Sequence, residues 1–235
     1  IRIHHTKDFF TRLGRDGMPL TAAPLRLRVG RPGVAAATEH APAPLAPLEV
    51  PAQCVPFGVD VAAADVAIVV PVYNAPTLAE RCLDAVLAQT SGRARLIVID
   101  DASTDPAITP LLARHAGAAG VEVLRNQHNL GFTATANRGI AAAGRADAVL
   151  LNADAEVGPN WLTGLRRAAH ARDDIGSVTA VSDNAGAFSV PELEQANRLP
   201  ACWTFTQAAR ALWQQAGLAY PELPTGNGFC LYIRR

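Results

Sequence analysis

Leu150-Leu151-Asn152-Ala153-Asp154-Ala155-Glu156 runs from an apolar stretch straight into an amide and two carboxylates. Ionised groups are costly to bury unpaired, so a buried strand ending this way is expected to deliver them to a cleft that holds something cationic. The same polar ending recurs upstream. Apolar runs close at Pro71-Val72-Tyr73-Asn74, at Asp100-Asp101 and near Asn126. Four endings of this kind have chemical meaning only if the fold brings them to one edge.

The elements needed for that are legible from Val66 onward. Val66 to Val72 is an apolar run, and Thr77 to Gln89 carries Leu78, Cys82, Ala85, Val86 and Gln89 at helical spacing. Strands at Leu96 to Ile99, Val121 to Leu124 and Ala148 to Leu151 alternate with helices at Pro106 to His115, Thr133 to Ala143 and from Pro159, with Trp161 in its first turn. Past Gly176 the reading is a strand at Ser177 to Val181, a helix at Thr206 to Ala216 and a last strand at Phe229 to Ile233. Strand-helix alternation with doubly buried strands predicts a three-layer α/β fold around a mostly parallel sheet. Such sheets bind ligands beyond the carboxyl ends of their strands, which is where the polar endings fall.

Composition narrows the partners. The chain has 235 residues, enough for one large α/β domain with an appendage, and its 21 basic residues balance 21 acidic ones. Nothing global draws it to nucleic acid, and an anionic ligand must be met locally. Lys7 is the single lysine. Cys54, Cys82, Cys202 and Cys230 are too far apart for a Cys-x-x-Cys metal or redox motif, so they read as buried free thiols of a cytoplasmic protein. Residues 1–64 hold eight prolines between Pro19 and Pro56, which predicts a Pro/Ala-rich irregular segment ahead of a domain spanning 65–235. Within it, His4 to Leu13 reads as a short helix, Leu25 to Val29 as an edge strand and Ala35 to Pro56 as linker. The start at Ile1 rather than Met suggests a piece of a longer protein with further domains.

Val69 to Asn74, Ile97 to Asp105, Asn126 to Gly131 and Asn152 to Asp154, in that order, resemble the landmarks of family 2 glycosyltransferases. The resemblance implies a GT-A, Rossmann-like fold, a UDP- or dTDP-sugar donor, a divalent metal, Mg2+ or Mn2+, and transfer with inversion to a saccharide or lipid-linked acceptor. It implies a place in polysaccharide biosynthesis, in the cytoplasm or peripherally at the inner membrane face. Asn152-Ala153-Asp154 matches the family's Asp-x-Asp signature with Asn in first place, so Asp154 is the implied metal ligand. Pro71, Tyr73, Asn74, Asp101, Gly131, Asn137, Asn152 and Ala153 are the implied nucleotide-binding set. Tyr73 can stack on a base, and Asp101 can accept from a uracil or thymine imide N–H. Asp100, one residue away and facing the other side, is as well explained by capping the turn through Ser103 or Thr104. Glu156 reads either as a water-mediated metal ligand or as a solvated carboxylate. Asp183, Asn184 and Asn227 are expected to border the sugar or acceptor.

Inverting transfer needs a base for the acceptor hydroxyl. The resemblance places that carboxylate after the strand at Phe229 to Ile233, hence beyond Arg235. A non-catalytic nucleotide-sugar-binding module, or an inactive fragment, is therefore the competing reading. A phosphoacceptor receiver domain would need a lysine at a later strand end, and Lys7 lies far from the pattern.

Overall fold

Val66–Val72, here β1, is buried at all seven positions, as expected of a strand covered on both faces. The computed structural model describes residues 65–90, 94–190, 192–199, 203–215, 220 and 222–235. After β1 come α1 (Pro76–Gln89), β2 (Ala94–Asp100), α2 (Ile108–Ala116), β3 (Val121–Arg125), α3 (Phe132–Ala142) and β4 (Asp147–Leu151). Then follow α4 (Trp161–Ala169), β5 (Ser177–Thr179), a 3-10 turn (Gly186–Phe188), α5 (Phe205–Gln215) and β6 (Cys230–Ile233). The six strands form one sheet ordered β3-β2-β1-β4-β6-β5. β1 to β4 are parallel, and β6 runs antiparallel between β4 and β5.

The α/β class and the mostly parallel sheet are as expected from sequence. The strand expected to reach Val181 stops at Thr179, because the chain folds back on itself: Ser182 N donates to Phe188 O and Val190 N to Ser182 O. The elements expected within residues 1–64 lie outside the described residues. No helix among the described residues is long and apolar enough to cross a membrane.

Strand alternation sorts the core into two faces. Ile68, Val70, Leu96, Val98, Val149 and Tyr232 pack with Leu83, Leu112 and Leu165 of α1, α2 and α4. Ala67, Val69, Ile97, Ile99 and Leu150 pack with Ala136 and Ile140 of α3. That second face depends on a close approach at Gly139, where an added Cβ would lie 2.2 Å from Val69 Cγ1 and 2.7 Å from Ile99 Cδ1. Gly139→Ala must push α3 off the sheet. Urea denaturation is expected to register a loss of about 1–3 kcal/mol.

Pro71 is unusual in a central strand, since it lacks a ladder donor. Backbone groups of successive residues face alternate neighbours, and Val72 O accepts from Asp101 N on the β2 side at 2.8 Å. Pro71 therefore faces β4, where pairing has already ended at Val69 and Leu150. The missing donor breaks no hydrogen bond of the ladder. β1 and β4 part at this point, and the strand order reverses here too, which is the crevice where open α/β sheets take ligands. The opposite edge is tied shut. Asp147 accepts from Tyr232 Oη at 2.6 Å, from Arg235 N at 2.8 Å and from His170 Nε2 at 3.1 Å. Burial would raise the Asp147 pKa, but these hydrogen bonds hold it below the ordinary value.

Candidate functional site

The acidic turn after β4 is clamped from two sides. Asn152 N donates to Phe229 O at 2.8 Å, just ahead of β6, and Asn152 O accepts from Ala155 N at 3.1 Å. The same carbonyl accepts from Cys82 Sγ of α1 at 3.4 Å. Burial pushes the Cys82 thiol up to about 12, with the nearby charges of Asp154 and Glu156 adding to it. Both described cysteines, Cys82 and Cys230, are buried free thiols, as expected.

What the turn offers a cation is specific. Asp154 is exposed and accepts no hydrogen bond from the described residues. Glu156 is also exposed, but its Oε2 lies 2.5 Å from Arg81 Nη2 of α1. Asn152 Oδ1 is buried with no partner, and buried acceptors are almost always bonded. The orphan marks a turn whose bonding is completed by something other than the described residues. No three His, Cys, Asp or Glu among the described residues gather into a metal cage. One open carboxylate fits a hard divalent cation whose remaining positions are filled by ligand oxygens and water.

At the neighbouring strand ends, Tyr73 is 50% exposed, free to cover a flat ligand. Asp101 sits beside it but is only 3% exposed. Its Oδ1 accepts from Asn126 Nδ2 at 2.6 Å and Leu130 N at 2.8 Å, and its Oδ2 from Gly131 N at 2.9 Å. Burial would raise its pKa, yet hydrogen bonds from Leu130, Asn126, Thr135 and Gly131 prevail and hold it below the ordinary range. Asp101 is thus first a staple for the loop between β3 and α3, and Gly131 serves it as a donor in a left-handed conformation at φ 78°. Asp100 caps Ser103 N at 2.8 Å and pairs with Arg125 at 3.1 Å, in line with the capping alternative.

Two members of the expected nucleotide set have other primary tasks. Pro71 is buried within β1 at the point where β1 and β4 part. Asn74, at φ 56°, turns its side chain to the next loop, where Oδ1 accepts from Thr104 N and Asp105 N, each at 2.9 Å, while Asn74 N donates to Ser103 Oγ at 2.8 Å. Its oxygen joins two loops rather than facing a ligand. Asn137 is half-buried on α3, and Ala153 packs partly on the core beneath the acidic turn.

On the far side of the crevice, Asn227 joins the start of β6 to the end of β5. Asn227 N donates to Thr179 Oγ1 at 3.0 Å, and its Nδ2 reaches Ala185 O at 3.4 Å. Asp183 and Asn184 are exposed on the loop so gathered. Asp183 O accepts from Asn197 N at 2.7 Å, which closes that loop on itself. Trp161 donates from Nε1 to Thr90 Oγ1 at 3.1 Å, and Trp213 lies under the Arg167 guanidinium at 4.8 Å. Both indoles anchor helices. β6 descends from Phe229 beside Asn152 to Arg235 beside Asp147, so Arg235 stands at the edge away from Asp154.

Asn126 and Arg81 went unremarked as site residues in the sequence. Asn126 is 4% exposed and also bonds Thr135 Oγ1 at 2.8 Å and Arg138. A polar residue at a strand end was its signal. Arg81 carried none, since one arginine on the outer face of a helix is ordinary.

The family model for glycosyl transferase family 2 matches residues 67–220. A curated relative, an uncharacterized glycosyltransferase of Haemophilus influenzae, is 27% identical over 97 residues, covering 41% of this chain and 30% of that protein. Among solved structures, the mannosyltransferase PcManGT from Pyrobaculum calidifontis in complex with GDP-Man and Mn2+ has a TM-score of 0.43 at 24% identity. The match covers 50% of this chain and 35% of that one. S. aureus TarS 1-349 in complex with UDP-GlcNAc has a TM-score of 0.45 at 16% identity, covering 50% of this chain and 34% of that one. The chain thus spans about a third of the length of the relatives it matches.

Proposed function

The chain belongs to glycosyl transferase family 2, and on that premise we propose that residues 65–235 form the nucleotide-sugar site of a metal-assisted, inverting glycosyltransferase. The observation that carries this is the exposed, unbonded Asp154 carboxylate on a clamped turn at the crevice where β1 and β4 part. In this reading Tyr73 covers one face of the base. Asp101 holds the loop from Asn126 to Gly131 around the base and is the acceptor offered to an imide N–H. Asn152 and Asp154 meet the ribose, sugar and diphosphate side of a UDP- or dTDP-sugar.

A divalent ion held by Asp154 would supply Lewis-acid stabilisation of the charge on the departing nucleoside diphosphate. The protein's own part is to keep the turn rigid, through Phe229 and Cys82, so that the carboxylate is in place before donor arrives. The acceptor hydroxyl, of a saccharide or a lipid-linked saccharide, approaches from the side of Asp183, Asn184 and Asn227. None of these is assigned as the base, which the family's pattern puts after β6.

Calorimetry with UDP, dTDP and CDP, with and without Mn2+, tests the reading. Uridine and thymidine diphosphates are expected to bind at least about tenfold tighter with the metal, by analogy with the effect of a lost metal contact. Absence of any metal-dependent binding overturns the donor site, and equal binding of CDP, whose cytosine presents an acceptor where uracil presents the imide N–H, removes the imide contact at Asp101.

A further inference from the structure

Arg81 and Glu156 are 75 residues apart in sequence and meet at 2.5 Å. The contact joins α1 to the acidic turn one residue away from a second link between the same two elements, Cys82 Sγ to Asn152 O at 3.4 Å. The turn carries two carboxylates at alternate positions, Asp154 and Glu156, and Arg81 engages one of them. Were both open, the turn would offer a cation two charged oxygen donors from the protein, and affinity of oxygen sites rises with the number of charged ligands. With Glu156 turned to Arg81, it offers one.

We propose that Arg81 is a positioning residue that sets the order of loading: by holding Glu156 it keeps the turn from taking a divalent cation unless a diphosphate supplies the missing oxygens. This rests on the donor-site reading above and adds to it a reason for metal alone to bind weakly. The advantage is chemical. A turn that binds free metal tightly would retain the ion after the nucleoside diphosphate has left, whereas one open carboxylate releases both together. The pair suits the task because it is exposed, with side-chain exposures of 65% for Arg81 and 39% for Glu156. Pairs this exposed bias a conformation by a factor of about five or less, enough to hold a flexible glutamate without locking the turn.

The test is binding of Mn2+ alone, followed by electron paramagnetic resonance of the free ion, in the described chain and its variants. Arg81→Ala is expected to bind Mn2+ without nucleotide up to about fivefold tighter than the parent, the bias that the pair imposes on Glu156. Arg81→Lys, which can still pair with Glu156, is expected to stay near the parent. Arg81→Ala combined with Glu156→Gln is expected to return to the parent's weak binding. An increase that survives in the double variant overturns the proposal, because it would reflect only the loss of a nearby cation. Unchanged or weaker Mn2+ binding in Arg81→Ala overturns it as well. These readouts need no nucleotide, so a failure of the donor reading shows separately, as missing UDP and dTDP binding in the parent chain.

Discussion

Asp154→Ala is expected to remove the metal-dependent part of nucleotide binding almost entirely while leaving the fold intact. Asp154 is the one carboxylate of the acidic turn that is exposed and unbonded among the described residues. A divalent ion held by Asp154 would have no second free carboxylate on the turn, since Glu156 is paired with Arg81. Loss of a direct ligand should cost at least the upper end of the 10–100-fold seen for supporting contacts, so UDP affinity in Mn2+ is expected to fall by about 100-fold or more. Metal-free affinity should not change. The same exposure that makes Asp154 available means that it contributes little to folding, and urea denaturation should register a change within about 0.5 kcal/mol. An intact metal response in this variant would move the metal site elsewhere. A large loss of stability would instead mean that the turn, and not the ligand, had been removed.

The sheet was readable because its central strands are buried on both faces and interrupted by helices of ordinary spacing; Val66 to Val72 needed no knowledge of the rest of the chain. The edge that carries the site was readable for a related reason, since an apolar strand seldom ends in carboxylates without a use for them. What the strands could not reveal is which carboxylate faces outward. Asp101 and Asp154 look alike in sequence, each closing an apolar run, but Asp101 is wrapped by donors from a loop some 30 residues on whereas Asp154 meets none. Pro71 and Asn74 show the same limit. Their neighbours across the sheet, β4 for one and the loop from Ser103 to Asp105 for the other, decide what they do, and those neighbours are contacts of the fold rather than of local sequence. Arg81 is the limiting case. Nothing near it in the chain marks it, and its meaning comes only from Glu156.

Asp101→Asn is expected to be among the most damaging single changes in the domain, and to act on stability before it acts on ligand. The carboxylate accepts from two backbone N–H groups, Leu130 and Gly131, and from the Asn126 amide. An asparagine presents one oxygen and one NH2. With its oxygen toward Leu130 and Asn126, the NH2 meets Gly131 N–H; turned over, it meets the other two donors. Either way a donor faces another donor, although in the first orientation Gly131 N keeps Asn129 Oδ1 at 3.1 Å as an acceptor. Unsatisfied buried polar groups cost about 1–3 kcal/mol each, and the loss of a charged acceptor adds to that, so a destabilisation of about 3 kcal/mol is expected in urea. The sign with pH follows from the lowered pKa of Asp101 in the folded protein. Its stabilising contribution is present above the pKa of the unfolded chain and is lost as pH falls through the lower folded value, so the difference between parent and variant should shrink in acid. Nucleotide affinity should fall too, because the loop from Asn126 to Gly131 loses its fastening. If Asp101 served chiefly to read the base, the order would reverse: affinity for UDP would drop, selectivity over CDP would vanish, and stability would hardly change.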